Sequence, residues 1–304
     1  MLTQAVGRGI VLRGAVLPVG GAVGMHTELL TVRAADGTPL DGVHYVRDGD
    51  ARPPSERTVV NFLHGRSMNF YVGVQRFAAD ALVAAGYDVL AVNRRSAGVA
   101  GIRDSFRGVG DAWALWREHR MDVEAAVRHL KELGYRRIVL AGHSQGGLLA
   151  GDHAAKDPDV AGLILASPAP TFAGLPSTFA DTQRAEFTER AKAMVAQGKG
   201  KDLLFLPDWP WIISAAVAVD HLTPGLVIPL SELTARFEGP LLAFCGDTGH
   251  DARLLPASRA AYDRSPSPAK RLEVLGGCDH FYVGFEERVT GLIRDWLAQH
   301  VPVA

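Results

Sequence analysis

Three stretches of this chain carry residue types that together perform nucleophilic chemistry at a carbonyl. Gly142-His143-Ser144-Gln145-Gly146 places a serine in a G-x-S-x-G pattern, Gly246-Asp247-Thr248-Gly249-His250-Asp251 offers two carboxylates, and Gly276-Gly277-Cys278-Asp279-His280 offers a histidine. A serine hydroxyl is a weak nucleophile at neutral pH; it needs a base to take its proton and a third group to hold that base in the right tautomer. The order serine, acid, histidine is one of the recognised arrangements of such a triad. Around Ser144 an apolar run of strand length precedes the glycine-flanked serine, and a helix-compatible run follows it. A turn that tight brings the chain against itself, and glycine at 142 and 146 removes the collision. Ser144 is then aimed past the end of a sheet, and the N–H of Gln145, opening the helix, points at a developing oxyanion.

The elements needed to hold these residues alternate along the chain. Apolar runs separated by Asp-Gly turns between Glu28 and Val46 predict an antiparallel meander, and the two prolines from Arg52 to Glu56 predict a loop. Strand, helix, strand, helix then follow: Val59 to Leu63, Phe70 to Ala85, Asp88 to Val92, and a periodic helix with Val123, Ala126, Val127, Leu130 and Leu133 on one face. Asp122 is placed to favour the start of that helix and Gly134 to stop it. Val160 to Ala166, Pro240 to Cys245 and Arg271 to Leu275 complete the strands, and Phe285, Val289, Leu292, Ile293 and Trp296 line a closing helix. Residues 167–239 interrupt the alternation. This stretch holds a helix with Phe187, Ala191, Met194 and Val195 on one side, a loop from Lys201 to Pro210, and an apolar run from Trp209 to Val219 too short to cross a bilayer. No internal repeat is visible.

Composition narrows the partners. The chain has 304 residues, 47% hydrophobic and 21% charged, with a net charge of -1 and no basic block. Electrostatic nucleic-acid binding, which needs clustered Lys and Arg, is therefore not expected. Cys245 and Cys278 read as free thiols of a reducing compartment. The apolar, Gly-rich stretch at residues 1–24 is broken by Arg8 and Arg13, so neither a signal peptide nor a membrane span is expected, and a cytoplasmic location follows. Neither paired His spacing nor a Cys cluster suggests a metal, and a dinucleotide fingerprint is absent at the Gly-rich turn. No cofactor is implied.

With these stretches in sequence order, the chain resembles the α/β-hydrolase fold superfamily over roughly residues 28–300. The resemblance implies a mostly parallel eight-stranded sheet flanked by helices, with a helical cap inserted after the sixth strand. The core would comprise 1–166 and 240–304, with 1–27 an extension and 167–239 the cap. Phe62 to Tyr71, reading FLHGRSMNFY, is similar to the family's His-Gly oxyanion loop, which makes the N–H of Arg66 the second oxyanion donor beside Gln145 and gives His64 a supporting role. His280 matches the base. The acid departs from the pattern: the family's usual position, three residues after the glycine ending the seventh strand, is Gly249. Counting back from Pro256 favours Asp251 with a two-residue insertion; Asp247 is the alternative acid, its other role being to cap the turn.

The resemblance implies a serine hydrolase cleaving a carboxylic ester or lactone of a small molecule, and a thioesterase or C–C bond hydrolase would use the same triad. A ligand receptor with little turnover is the reading from a different class, favoured by the displaced acid. Phe172, Phe179, Phe205, Trp209 and Trp211 suggest an apolar pocket for an aromatic or medium-chain substrate, with Trp209, Trp211 and Phe172 as its contacts. His143 is expected to pack, His250 to lie on a surface loop, and Arg94 and Arg95 either to form structural ion pairs or to meet a substrate carboxylate. Stable membrane insertion is not expected, and a homodimer is left open.

Overall fold

The computed structural model describes residues 24–103, 108–171, 181–205, 212–222 and 228–303. Its centre is one eight-stranded sheet in the order β1-β2-β4-β3-β5-β6-β9-β10. Here β1 is Met25–Arg33, β2 Pro39–Arg47, β3 Thr58–Leu63, β4 Asp88–Val92, β5 Arg137–His143, β6 Val160–Ala166, β9 Leu241–Gly246 and β10 Lys270–Leu275. The leading hairpin is antiparallel and turns at Asp36-Gly37 as predicted, whereas Asp41-Gly42, also read as a turn, lies inside β2 paired with Thr31 and Leu30; β2 also runs antiparallel to β4, and all other neighbours in the sheet are parallel. The expected fold class is therefore the observed one.

Alternation along the central strands fills two cores. Val59, Leu63, Ile138 and Leu140 face one side with Val123, Leu130, Leu148 and Leu149. Val60, Phe62, Val139 and Ala141 face the other with Leu82, Val289, Ile293 and Trp296. Period-two strands covered on both faces explain why β3 to β6 read as nearly continuous apolar runs. Each fully buried Leu or Val contributes roughly 1.5–3 kcal/mol, so the strand ends that carry the site rest on a stiff base.

The helices are α1 Val74–Ala84, α2 Trp116–Glu132, α3 Gln145–Ala154, α4 Asp181–Ala196, α5 Ala215–Leu222, α6 Leu230–Thr234, α7 Asp251–Arg264 and α8 Glu286–His300. Two of them, α1 and α2, begin elsewhere than the sequence reading placed them, and α6 and α7 fall where it placed no helix. Helix α1 begins at Val74 rather than Phe70, because Asn69 ties the preceding loop: its carbonyl accepts from Gln75 Nε2 (2.8 Å) and its side chain from Tyr71 N (2.9 Å). Local side-chain bonds of this kind compete with helix. Helix α2 begins at Trp116, which puts Asp122 in its middle, where it binds Arg95 instead of favouring the helix start. Gly134, at φ 100°, does end that helix.

Within 167–239, the segment read as a loop contains β7 Leu203–Phe205, which pairs antiparallel with β8 Ile212–Ser214. These strands pack with α4 and α5 around Phe187, Ala191, Leu204, Ile213 and Val217, a cluster separate from both faces of the main sheet. It joins the rest of the molecule at the segment before α2: Trp113 Nε1 donates to Lys201 O (3.1 Å), and Trp116 N to Asp220 Oδ2 (2.6 Å). Among the described residues, no helix is long and apolar enough to cross a membrane.

Candidate active site

Ser144 links β5 to α3 at φ 54°, ψ −120°, a left-handed conformation that a non-glycine residue holds only when its surroundings enforce it. The enforcement is visible in the glycines. A Cβ on Gly142 would lie 2.2 Å from Gly146 O, and one on Gly146 would lie 2.1 Å from Leu63 O and 2.6 Å from His64 O. The elbow is thus folded against itself and against the end of β3, which brings the 64–73 loop beside the serine. A Cβ on Gly65 would lie 3.3 Å from Ser144 Cβ. Gln145 is the first residue of α3, so its N–H lacks an intrahelical acceptor.

His280 lies in the loop after β10, and its Nδ1 is 2.5 Å from Asp251 Oδ1. Asp251 is fully buried at the start of α7. Its other oxygen, Oδ2, accepts from Ser167 Oγ (2.5 Å) and Gly246 N (2.8 Å). Burial opposes ionisation of Asp251, but hydrogen bonds from His280, Ser167 and Gly246 outweigh it and leave the carboxyl below the usual range. Asp247 does not reach His280; its Oδ1 accepts from Gly277 N at 2.8 Å, the turn-capping role. Asp279, beside the histidine, likewise caps its own turn through Phe281 N (3.0 Å) and Val283 N (3.2 Å). No hydrogen bond joins Ser144 Oγ to His280 Nε2 among the described residues. The two loops nonetheless abut, with His143 Nε2 donating to His280 O at 2.9 Å and the two rings 4.6 Å apart. Burial pushes the His143 imidazole down to about 3, so it is a neutral packing group between the elbow and His280.

A model of the alpha/beta hydrolase family matches residues 62–293. The chain belongs to the alpha/beta hydrolase family. Comparison with curated proteins by sequence finds no match. Among solved structures, the chain is similar to the esterase Est1E of Butyrivibrio proteoclasticus with ferulic acid bound: 18% identity, TM-score 0.66, covering 90% of this chain and 99% of that one. An esterase of Pyrococcus furiosus matches at 18% identity and TM-score 0.62, covering 91% and 92%. Dienelactone hydrolase from Anabaena variabilis matches at 14% and 0.57, covering 91% and 98%. At these identities the likeness is one of fold.

Several residues around the site of this alpha/beta hydrolase were hidden from sequence reasoning. Ser167, the first residue past β6, takes φ 42° and accepts or donates at 2.6 Å to the buried Tyr282 hydroxyl while donating to Asp251. Because Asp251 is acceptor-only when ionised, the chain of donors must run from Tyr282 to Ser167 to Asp251. His250 is not a free loop residue: its half-buried ring meets His280 edge-on at 4.8 Å. Arg95 forms structural ion pairs with Asp122 and Asp36, both at 2.7 Å. Arg94 turns inward and has no carboxylate within ion-pair distance among the described residues.

The Arg66 side chain is paired to the buried Asp111 through Nε (2.5 Å), so its role, if its N–H serves the oxyanion, is a backbone one. Phe172, Phe179, Trp209 and Trp211 lie outside the described residues, and Phe205 is 80% exposed on β7. Both cysteines are free and buried. No group of three His, Cys, Asp or Glu side chains among the described residues is arranged to hold a metal ion.

Proposed function

We propose that this alpha/beta hydrolase is a serine hydrolase of carboxylic esters or lactones. The observation that carries the reading is the buried Asp251 hydrogen-bonded to His280 Nδ1, beside a serine held at φ 54°. In this reading Ser144 Oγ attacks the substrate carbonyl carbon while His280 Nε2 takes the hydroxyl proton. The N–H groups of Gln145 and Arg66 receive the oxyanion. Collapse of the tetrahedral intermediate breaks the bond to the alkoxide, which leaves with the proton from His280. Water then repeats the sequence on the acyl-enzyme, deprotonated by His280, and frees the acid and Ser144. Asp251 holds Nδ1–H and stabilises the imidazolium.

Support for an ester or lactone rather than a ligand receptor comes from two directions. The acid is displaced in sequence but sits on the histidine, which removes the feature that favoured a receptor. Structural neighbours include esterases and a dienelactone hydrolase. Residues 167–239 form the cap of this reading, and Trp209, Trp211 and Phe172 the apolar contacts for an aromatic or medium-chain acyl group. The ferulic acid on Est1E is an aromatic acid of that kind.

A fluorophosphonate probe followed by intact mass tests the reaction class. One adduct on the wild type and none on Ser144→Ala is expected; no adduct on folded wild type overturns it. Replacing Trp209 or Trp211 with Ala and comparing short with bulky esters tests the pocket, and unchanged selectivity would remove it.

A further inference from the structure

Arg94 follows β4 and is 2% exposed, yet among the described residues no carboxylate neutralises it at contact distance. Its donors go elsewhere. Nη2 donates to His64 O (2.6 Å) and more distantly to Gly65 O (3.4 Å), and Nη1 donates to Gln145 Oε1 and His119 Nδ1, both at 2.9 Å. The Arg94 backbone N–H donates to His64 Nε2 (2.9 Å). That bond fixes the proton of His64 on Nδ1, which then donates to Gly65 O at 2.8 Å. Burial pushes the guanidinium down to about 10, against the pull of Asp111 and Asp122, and it stays charged at neutral pH.

We propose that Arg94 is the positioning residue of the oxyanion hole, setting the Arg66 and Gln145 N–H groups relative to each other by gripping both of the elements that carry them. This rests on the serine-hydrolase reading. Gly65 C=O and Arg66 N–H are opposite ends of one planar peptide, so donors fixed on the carbonyl oxygen fix the direction of the N–H. The same donors polarise the peptide and strengthen that N–H as a donor. On the other side, the Gln145 side chain ties the first residue of α3 to the same guanidinium. A donor pair preorganised in this way needs no rearrangement when charge develops on the carbonyl oxygen.

A purely structural duty explains the pattern less well. Burying a cation without a contacting carboxylate costs stability, and an apolar residue of similar volume fills a core position as well or better. The planar fork also matters. Only a guanidinium reaches a loop carbonyl and a helix side chain at once from one buried point; a lysine ammonium supplies the charge without that geometry.

The experiment uses the full chain, with p-nitrophenyl acetate as probe ester and trifluoroacetophenone as an inhibitor whose serine adduct places an oxyanion in the hole. Arg94→Met and Arg94→Lys are expected to lower kcat by about 10- to 100-fold, with KM within about twofold and the inhibition constant raised by the same factor as kcat falls. Arg94→Lys should lie nearer the wild type. Gln145→Leu keeps the backbone N–H but loses the tether, and should show a smaller loss of the same kind; it carries the test if Arg94→Met does not fold. Folded variants with wild-type kcat and wild-type inhibition would overturn the role of Arg94 alone. A wild type that takes no fluorophosphonate adduct would overturn the hydrolase reading, and this role with it.

Discussion

Ser167 Oγ donates to Asp251 Oδ2 at 2.5 Å, on the carboxylate oxygen that His280 leaves unused. Asp251 is therefore held from both sides, and the Tyr282 hydroxyl holds Ser167 in turn. Replacing Ser167 with Ala removes one of the two donors to Oδ2, leaving Gly246 N, and takes the hydroxyl partner from the buried Tyr282 phenol. A hydrogen bond to a charged group is worth about 1.5–3 kcal/mol, so kcat should fall about tenfold or more with KM little changed. Steady-state kinetics on Ser167→Ala would measure it, and an unchanged kcat would show that His280 and Gly246 N orient Asp251 without it.

The two aspartates should separate cleanly. Asp251→Asn puts a donor where His280 Nδ1–H needs an acceptor, and about a 10⁴-fold loss of kcat is expected from loss of the productive tautomer. Asp247→Ala removes one exposed turn bond to Gly277 and should cost roughly 1 kcal/mol of stability with near wild-type kcat. Kinetics and urea unfolding of the two variants, side by side, would reverse the assignment if Asp247→Ala proved the inactive one.

Gly146 has no room for a side chain, since the obstructing atoms are the backbone carbonyls of Leu63 and His64. Gly146→Ala must push the end of β3 and the start of the 64–73 loop away from the elbow. Roughly 3 kcal/mol of lost stability is expected, of the order seen for overpacking in a tight interior. The folded fraction should take fluorophosphonate at least 100-fold more slowly, on the order of losing one oxyanion donor. A stable Gly146→Ala protein with normal labelling would contradict this close approach.

Acid should unfold the protein through its buried imidazoles. Burial pushes His44 from an ordinary value of 6.5 down to about 4, and His143 down to about 3. His64, His119 and His221 are also driven well below the usual range by burial. The unfolded chain binds protons that the folded one refuses, so stability is full above about pH 6.5 and falls as pH drops toward each folded value. Each such histidine steepens the fall by up to about 1.4 kcal/mol per pH unit. Urea unfolding at pH 7.5, 6 and 5 should show this decline, and His44→Gln should flatten it; the same slope in that variant would count against His44.

The sequence by itself determined what depends on local pattern. Apolar runs placed the parallel strands of the main sheet within a residue or two, Asp36-Gly37 placed the turn of the leading hairpin, and Gly134 ended α2, because backbone sterics and side-chain patterning act over a few residues. The family was legible for the same reason: strand, elbow and helix are contiguous in the chain. Failures of the pattern were local too. The start of α1 gave way to the bonds of Asn69, and Asp122 served Arg95, which lies 27 residues away in the chain.

Only the tertiary structure decided matters that turn on distance across the sheet. The letters favour Asp251 over Asp247 only by counting back from Pro256; in the fold just one of them sits on His280, because Asp251 opens α7 against the end of β9 while Asp247 turns out to Gly277. Ser167 meets Asp251 and Tyr282 meets Ser167 from separate strands' ends, and Arg94 grips Gln145 across 51 residues of chain. Such contacts have no sequence signal because their energy comes from burial and geometry that exist only once the sheet has closed.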